Sequence, residues 1–462
     1  MRERVSADLF RKQLPVLETD NPDISRAWNL ALEDMLSNIG LFRDGLLKEK
    51  APVLLAGGGD AGYGYDTPWT RDASINTWNA AGLLLPSVAK NTLLAVLTGE
   101  PGSYRIGGQY WDAVIWTIGA WQYCLYTGDE AFLPLVRECT VNSLAYFEQT
   151  ELDEEMGLFR GPACYGDGIA AYPDRYVTGE SGILSYPAHH PSEKGVGIPI
   201  FALSTNCLYA ECYRLAFVMT GDERYARKHE ALRNRINEVF WNESRGLYDY
   251  MVDAQGREER QEALGESFAI LFDIADDEQK EKILEHCAIS ENGITCLYPC
   301  YERYLPYGIG RHCGTVWPFA QAFFADAALP LRPEISAFEL KTLTQNALRA
   351  GQFAEIYHPQ TGMPYGGVQE TDGPITDRWN SIPHQTWSAT GYLRMILLNL
   401  AGLHFSKEGL TIRPAKIADV STLRIRDLSY RNAVLDITIT PQGWGKEIFL
   451  PADTSGPRRI LL

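Results

Sequence analysis

Two decapeptides, YCLYTGDEAF at 123–132 and AFVMTGDERY at 216–225, constrain this chain more than any other feature. Each closes one apolar periodic run with Thr-Gly and opens another with Asp-Glu. Glycine just past a helix supplies the left-handed backbone that ends it, and the aspartate beside it caps the next helix. Both stretches therefore predict tight helical hairpins. Apolar periodicity predicts further helices over 23–39, 72–97, 110–127, 130–149, 198–219, 223–239, 261–274, 277–288, 315–328, 334–350 and 386–402. Hairpins that cannot cover their own apolar faces must stack, in an open solenoid or in a closed ring. Roughly eleven or twelve helices with loops of alternating length fit an all-α fold of six hairpins, the (α/α)6 toroid. A superhelical repeat protein, the alternative, needs a clearer period than this sequence has.

After residue 405 the pattern changes. GLTIRPA, STLRIRD, AVLDITIT and KEIFLP alternate with period two between Asn, Gly and Pro turns, which predicts a small antiparallel β appendage. The expected division is a toroid over 1–405 and a β subdomain over 406–462 packed on it.

The chain has 462 residues and a net charge of −17, which leaves no basic face for nucleic acid or an anionic membrane. No 18-residue apolar run is present, and MRERVSADLFRKQLPV lacks a signal-peptide core. The nine cysteines show no metal-site spacing; Cys296 and Cys300 come nearest, without a second pair. A reducing, cytoplasmic setting is expected, with thiols serving as small core residues and with no cofactor or metal. GGGDAGYG at 57–64 lacks the Lys-Ser/Thr of a phosphate loop, and GESFA at 265–269 falls inside a helix rather than on a nucleophile elbow.

Aromatic residues are unusually placed. Of 11 Trp, several (Trp69, Trp111, Trp317, Trp379, Trp387) sit beside Gly, Pro or Asp outside the apolar runs. Core packing is the default use of such rings, but aromatic residues at loop–helix junctions next to carboxylates also suit sugars, which offer an apolar face and a rim of hydroxyls. The long loops, 151–197, 289–314 and 351–385, are rich in Gly, Pro, Tyr and His, and loops of that length in a helical domain point to a binding face. Three stretches concentrate chemistry: DTPWTRDAS with Asp66, Trp69, Arg71 and Asp72; YGIGRHCGTVWPF with His312 and Trp317; and AEIYHPQTGMPYGG with Glu355, Tyr357 and His358, followed by HQTW with His384 and Trp387. Glycosidic cleavage needs a second carboxylate. Asp167, set between Gly166 and Gly168 after Tyr165, is the first choice, with Asp174 and Glu180 as alternatives.

Together these segments resemble the six-hairpin glycosidases. PWTRDASINTWNAAGLLL is similar to the Trp-x-Arg-Asp helix start of glucoamylases and glycogen-debranching amylo-α-1,6-glucosidases. RHCGTVWPF and AEIYHPQTGMPYGG…HQTWS resemble two further blocks of the debranching group, and GLTIRPA resembles the β tail of α-rhamnosidases. The resemblance implies a toroid whose loops build the active site, and exo-acting, inverting hydrolysis of a terminal sugar of α-glucoside type. Arg71 and Asp72 match the pair that holds the sugar's hydroxyls, with Trp69 as the adjoining wall. Glu355 matches the general base, and His312 and Trp317 match pocket-lining positions. Asp167 matches the general acid by position only, because the Trp-Met before the debranching-group aspartate is missing here.

In that mechanism protonated Asp167 donates to the glycosidic oxygen, and ionised Glu355 activates water on the opposite face. The carboxyls then stand about 6.5–9.5 Å apart, against roughly 5–5.5 Å in a retaining enzyme. Burial among aromatic rings is expected to keep the acid protonated. A phosphorylase on the same ring needs an anion pocket. A sugar 2-epimerase needs paired histidines such as His312 and His384. A sugar-binding toroid without activity, or α-rhamnosidase-like specificity, completes the alternatives. The carbohydrate partner is expected to be a small glycoside or oligosaccharide.

Overall fold

The structure, a computed structural model, describes residues 5–58, 65, 67–107, 111–177, 181–183, 200–371 and 377–462. Six helices contact one another in a closed cycle. Thr70–Asn76 meets Ile115–Thr127, which meets Leu203–Thr220, then Ala263–Leu271, Pro318–Ala328 and Thr386–Arg394, and the last returns to the first. Each is preceded in the chain by an outer partner: Pro22–Ser37, Pro86–Ala95, Leu133–Thr150, Glu223–Phe240, Asp277–His286 and Pro333–Ala350. The arrangement follows from composition. The outer helix Glu223–Phe240 buries only Leu232, Ile236, Val239 and Phe240, a single stripe, whereas all but one residue of Pro318–Ala328 is buried. A helix that is apolar all round belongs inside.

Both Thr-Gly-Asp-Glu hairpins form. Gly128 (φ 67°) and Gly221 (φ 70°) close their helices in the left-handed region, and the Asp222 side chain accepts from the Arg224 N–H. The expected single helix over 72–97 is interrupted. A π-helical turn occupies Thr77–Ala81, and Leu85 leaves helical geometry (φ −133°, ψ 57°) before Pro86 opens the next helix. Proline has no N–H to donate and crowds the preceding turn, so the chain reverses there and one expected helix becomes an inner and an outer one. Inside the ring, Trp78 packs on Phe323 with ring centroids 4.5 Å apart, and the Arg394 guanidinium lies 4.8 Å from each ring. Removing a buried ring such as Phe323 costs about 3–5 kcal/mol.

An all-α description needs correction. Short antiparallel pairs tie the loops at the helix ends, among them Leu152–Asp153 with Leu158–Phe159 and Trp241–Asn242 with Leu247–Tyr248. Near the C-terminus, Leu403–Phe405, Gly409–Ile412 and Ile448–Pro451 form one sheet. A second sheet runs Val16–Thr19, Leu423–Tyr430, Asn432–Ile439, Ser455–Leu461, antiparallel except for the last pair. Burial alternates along Asn432–Ile439, as its period-two pattern requires. The outer strands escape sequence reading because they are edges. Val16–Thr19 has four residues, and Ser455–Leu461 buries only Ile460. Among the described residues no helix is long and apolar enough to cross a membrane.

Candidate active site

Three inner helices begin within two residues of a tryptophan read as functional. Trp69 precedes Thr70–Asn76, Trp317 precedes Pro318–Ala328, and Gln385 precedes Thr386–Arg394. The loops reaching these helix starts enclose a cavity of about 380 Å³. Of the expected site residues, Trp69, Arg71, Asp72, Tyr165, Asp167, His312, Trp317, Glu355 and Trp387 line it. Asp66 and the alternative acid Glu180 lie outside the described residues.

Glu355 is the most firmly held carboxylate of the group. It is 1% exposed. Its Oε2 accepts from an Arg311 amino group at 2.7 Å and from the Ile382 N–H at 3.1 Å, while Oε1, among the described residues, accepts only the longer Tyr65 hydroxyl bond at 3.3 Å. One oxygen is anchored and the other is lightly held, which is the geometry of a base that can take a proton. Arg311 is fixed in turn. Its other amino group donates to the carbonyls of Gly366 (3.0 Å) and Asn380 (3.2 Å), and the guanidinium lies over Trp317 and Trp379.

Asp72 lies in the first helical turn, where the dipole favours negative charge, yet it is buried. Burial pushes its carboxyl up to about 7; Arg71 opposes the shift, and the charges of Asp167 and Glu355 add to it. Its Oδ1 has no hydrogen-bond partner among the described residues. Arg71 lines the cavity beside Asp72 and is anchored by two carboxylates. One amino group donates to buried Asp112 at 2.6 Å, and the other lies 3.6 Å from Asp167. Burial opposes the Arg71 charge, but Asp112, then Asp167 and Asp72, more than restore it. Asp112 also accepts the Tyr165 N–H at 3.0 Å, so Arg71 and Asp112 together set the loop that presents Asp167.

Asp167 is not buried among aromatic rings. Its side chain is 53% exposed, 3.6 Å from both Arg71 and His312 Nε2. The glycine after it lines the cavity and lets the His312 ring approach, since a Cβ at Gly168 would stand 2.2 Å from that ring. His312 stacks on Trp317 (5.1 Å, 24°) and is held neutral by burial, reinforced by Arg311 and Arg71. Asp174 bonds to Arg303 at 2.8 Å with its side chain 79% exposed and does not line the cavity.

Three further histidine and tyrosine expectations are corrected. Tyr357 is fully buried behind the site, its hydroxyl donating to the Gln352 carbonyl at 2.9 Å. His358 is a turn former whose Nδ1 accepts from Gln360 and Thr361. His384 binds Asp34 at 2.7 Å and is not part of the cavity lining, so it forms no catalytic pair with His312. Two residues inside the quoted stretches went unread: Arg311 directly precedes His312, and Gln385 follows His384. Gln385 is fully buried and lines the cavity, with both amide atoms unpartnered among the described residues; the Trp387 indole N–H is likewise unpartnered. Asp112 lies outside the three stretches, directly after Trp111.

Residues 205–388 match the family model of the mannosylglycerate hydrolase MGH1-like glycoside hydrolase domain, a span that includes His312, Glu355 and Trp387. No curated protein sequence matches the chain. Among solved structures, a sialidase superposes with TM-score 0.70 at 13% identity, over 98% of this chain and 41% of that one. The GH78 family rhamnosidase of Bacillus sp. GL1 gives 0.57 at 14% identity, over 97% and 44%. This chain thus spans well under half the length of either protein. The GH63 mannosylglycerate hydrolase of Thermus thermophilus, in complex with glucose, gives 0.56 at 11% identity, over 80% and 99%. At these identities the likeness is one of fold, and the family match covers residues 205–388 alone. The chain thus shares its fold with these proteins, and its residues 205–388 carry the likeness to a glycoside hydrolase domain.

Proposed function

We propose that this chain is a glycoside hydrolase that removes a terminal sugar from a small glycoside with inversion at the anomeric carbon, Glu355 acting as base and Asp167 as acid. The observation that carries the reading is the contrast between the two carboxylates of one cavity. Glu355 is buried and anchored through Oε2, whereas Asp167 stands half-exposed on a glycine-flanked turn. An ionised base held by a guanidinium accepts a proton from water through its lightly held oxygen. An acid at the mouth meets the bond to the leaving group, and a bound sugar that covers it removes the water around it. Asp72 Oδ1, Gln385 and the Trp387 N–H give the sugar's hydroxyls buried partners, which favours a blind, exo-acting site. Trp69, 40% exposed, forms the outer wall.

Hydrolysis is favoured over phosphorolysis because the two guanidiniums in the described lining are both engaged by carboxylates, Arg71 by Asp112 and Arg311 by Glu355. The sugar is read as α-linked and of glucoside type from the motif resemblance; the names of the family model and of the Thermus thermophilus protein add mannosylglycerate to the substrates to be tried. The test is a panel of α-glucosides, α-rhamnosides and mannosylglycerate, with and without phosphate, followed by NMR of the first anomer released. Release of the β-anomer from an α-glycoside is expected. A retained anomer overturns the roles given to Glu355 and Asp167.

A further inference from the structure

Beside the site lies a pair of thiols that the reaction does not use. Cys300 and Cys313 bring their sulfurs to 3.2 Å, and among the described residues no other two cysteines are in hydrogen-bonding contact. Cys313 is fully buried and directly follows Arg311 and His312, whereas Cys300 is partly exposed. The Gly310 N–H points at the Cys300 sulfur at 3.5 Å. The hydrogen bond from Cys313, then the N–H of Gly310 and the charge of Arg260, lower the Cys300 thiol to about 7 against the effect of burial; burial holds Cys313 well above its usual range. One sulfur is therefore an accessible thiolate and the other a sheltered thiol beside it, the division found in oxidisable dithiols.

We propose that Cys300 and Cys313 form a modification site that a hydroperoxide converts to a disulfide, and that closing it displaces the turn carrying Arg311 and His312. The Cys300 thiolate attacks a peroxide oxygen, breaking the O–O bond and leaving a sulfenic acid on Cys300 and an alcohol, or water when the oxidant is hydrogen peroxide. Cys313 loses its proton and attacks the Cys300 sulfur, and the sulfenic oxygen departs as water. Two thiols and one hydroperoxide become one disulfide, one alcohol and one water.

The turn has no slack to absorb the change. The sulfurs must close from 3.2 Å to about 2.05 Å. A Cβ added at Gly310 would already stand 2.4 Å from the Cys313 sulfur, and one at Gly314 3.1 Å from the Cys300 Cβ. The Cys313 N–H donates to the Gly310 carbonyl at 3.1 Å, so movement of Cys313 moves the backbone around Arg311. Arg311 holds Glu355 at 2.7 Å and lies against Trp317 and Trp379, so both the base and the tryptophans register the shift.

The experiment treats the full chain with hydrogen peroxide, maps cysteine peptides by mass spectrometry, and follows tryptophan fluorescence and hydrolysis before and after dithiothreitol. A Cys300–Cys313 cross-linked peptide is expected, with a fluorescence change, a fall in kcat of about tenfold or more, and recovery on reduction. Cys300→Ser should neither cross-link nor lose kcat in peroxide. Peroxide that leaves Cys300 and Cys313 as thiols overturns the site, and a mapped disulfide with unchanged fluorescence and kcat overturns its coupling to Arg311. Mapping and fluorescence decide the matter even if the substrate class proposed above proves wrong.

Discussion

Arg71 is anchored on Asp112: the guanidinium donates to the buried carboxylate at 2.6 Å, and the same oxygen accepts the Tyr165 N–H at 3.0 Å. Breaking a buried pair by removing one charge costs about 3–5 kcal/mol. Asp112→Asn should therefore lower the urea midpoint and, by loosening the Asp167 loop, reduce kcat/KM about 10²-fold. Unchanged activity in a folded Asp112→Asn variant would show that Arg71 positions nothing.

Glu355→Gln keeps an acceptor for the Ile382 N–H but cannot take a proton. We expect kcat to drop about 10²–10⁴-fold with substrate affinity preserved. Calorimetric titration of the variant with substrate checks the second half. Loss of binding along with turnover would assign Glu355 a structural role.

Asp72 is pushed up to about 7 by burial, so its pH dependence has a definite sign. Below that pH the carboxyl is protonated and accepts weaker hydrogen bonds from hydroxyls; above it the carboxylate accepts charge-assisted ones. KM should rise as pH falls through about 7 in the wild type. Asp72→Asn should abolish that dependence and lower kcat/KM at pH above 7 about 10²-fold. A change of only a few-fold would mean that Asp72 merely serves the helix start.

Gln385 offers a fully buried amide with no partner among the described residues. A structural amide lost from the core destabilises, whereas one kept for a ligand does not. Gln385→Leu should leave the thermal midpoint unchanged or raised, and raise KM about tenfold, the worth of roughly one hydrogen bond to a buried group. Thermal denaturation and kinetics on the same preparation separate the two uses.

Glu339 tests the fold rather than the site. It is fully buried, accepts the Ile294 N–H, and burial pushes it up to about 8. The folded value exceeds the unfolded one, so its contribution to stability is complete below the unfolded value near 4.5 and is lost as pH rises toward 8. Wild-type stability should decline over that window, and Glu339→Gln should flatten the decline. Parallel urea curves at pH 5 and 9 measure it.

The sequence disclosed the ring because its signals are local. Glycine supplies the left-handed C-cap at 128 and 221, and Asp222 caps the helix that follows; Asp129, expected to do the same, instead accepts the Phe132 N–H in the turn before its helix starts at Leu133. Helix interruption at Leu85 was equally visible in Pro86, but the strong apolar run over it outweighed the proline. The cavity wall was legible wherever a motif named it, as at Asp72, His312 and Glu355. Partners that fix those residues were not. Asp112 and Asp34 look like ordinary polar positions in helical runs, and only the packing of the ring brings them to Arg71 and His384. The exposure of Asp167 was misread because the neighbours its flanking glycines admit, His312 and Tyr172, pack against those glycines and leave the carboxylate itself at the mouth.

The ring closes between its first and last inner helices, where Thr390 donates to Asn76 and His384 meets Asp34. The cavity straddles this seam, with Asp72 from one side of it and Glu355, Gln385 and Trp387 from the other. Under the roles proposed above, a nascent chain that has emerged as far as Asp167 holds the proposed acid and Asp72 but neither Glu355 nor the Gln385 and Trp387 wall of the pocket. Hydrolytic activity in a ribosome-released series of fragments should then appear as a single step, with the final hairpin.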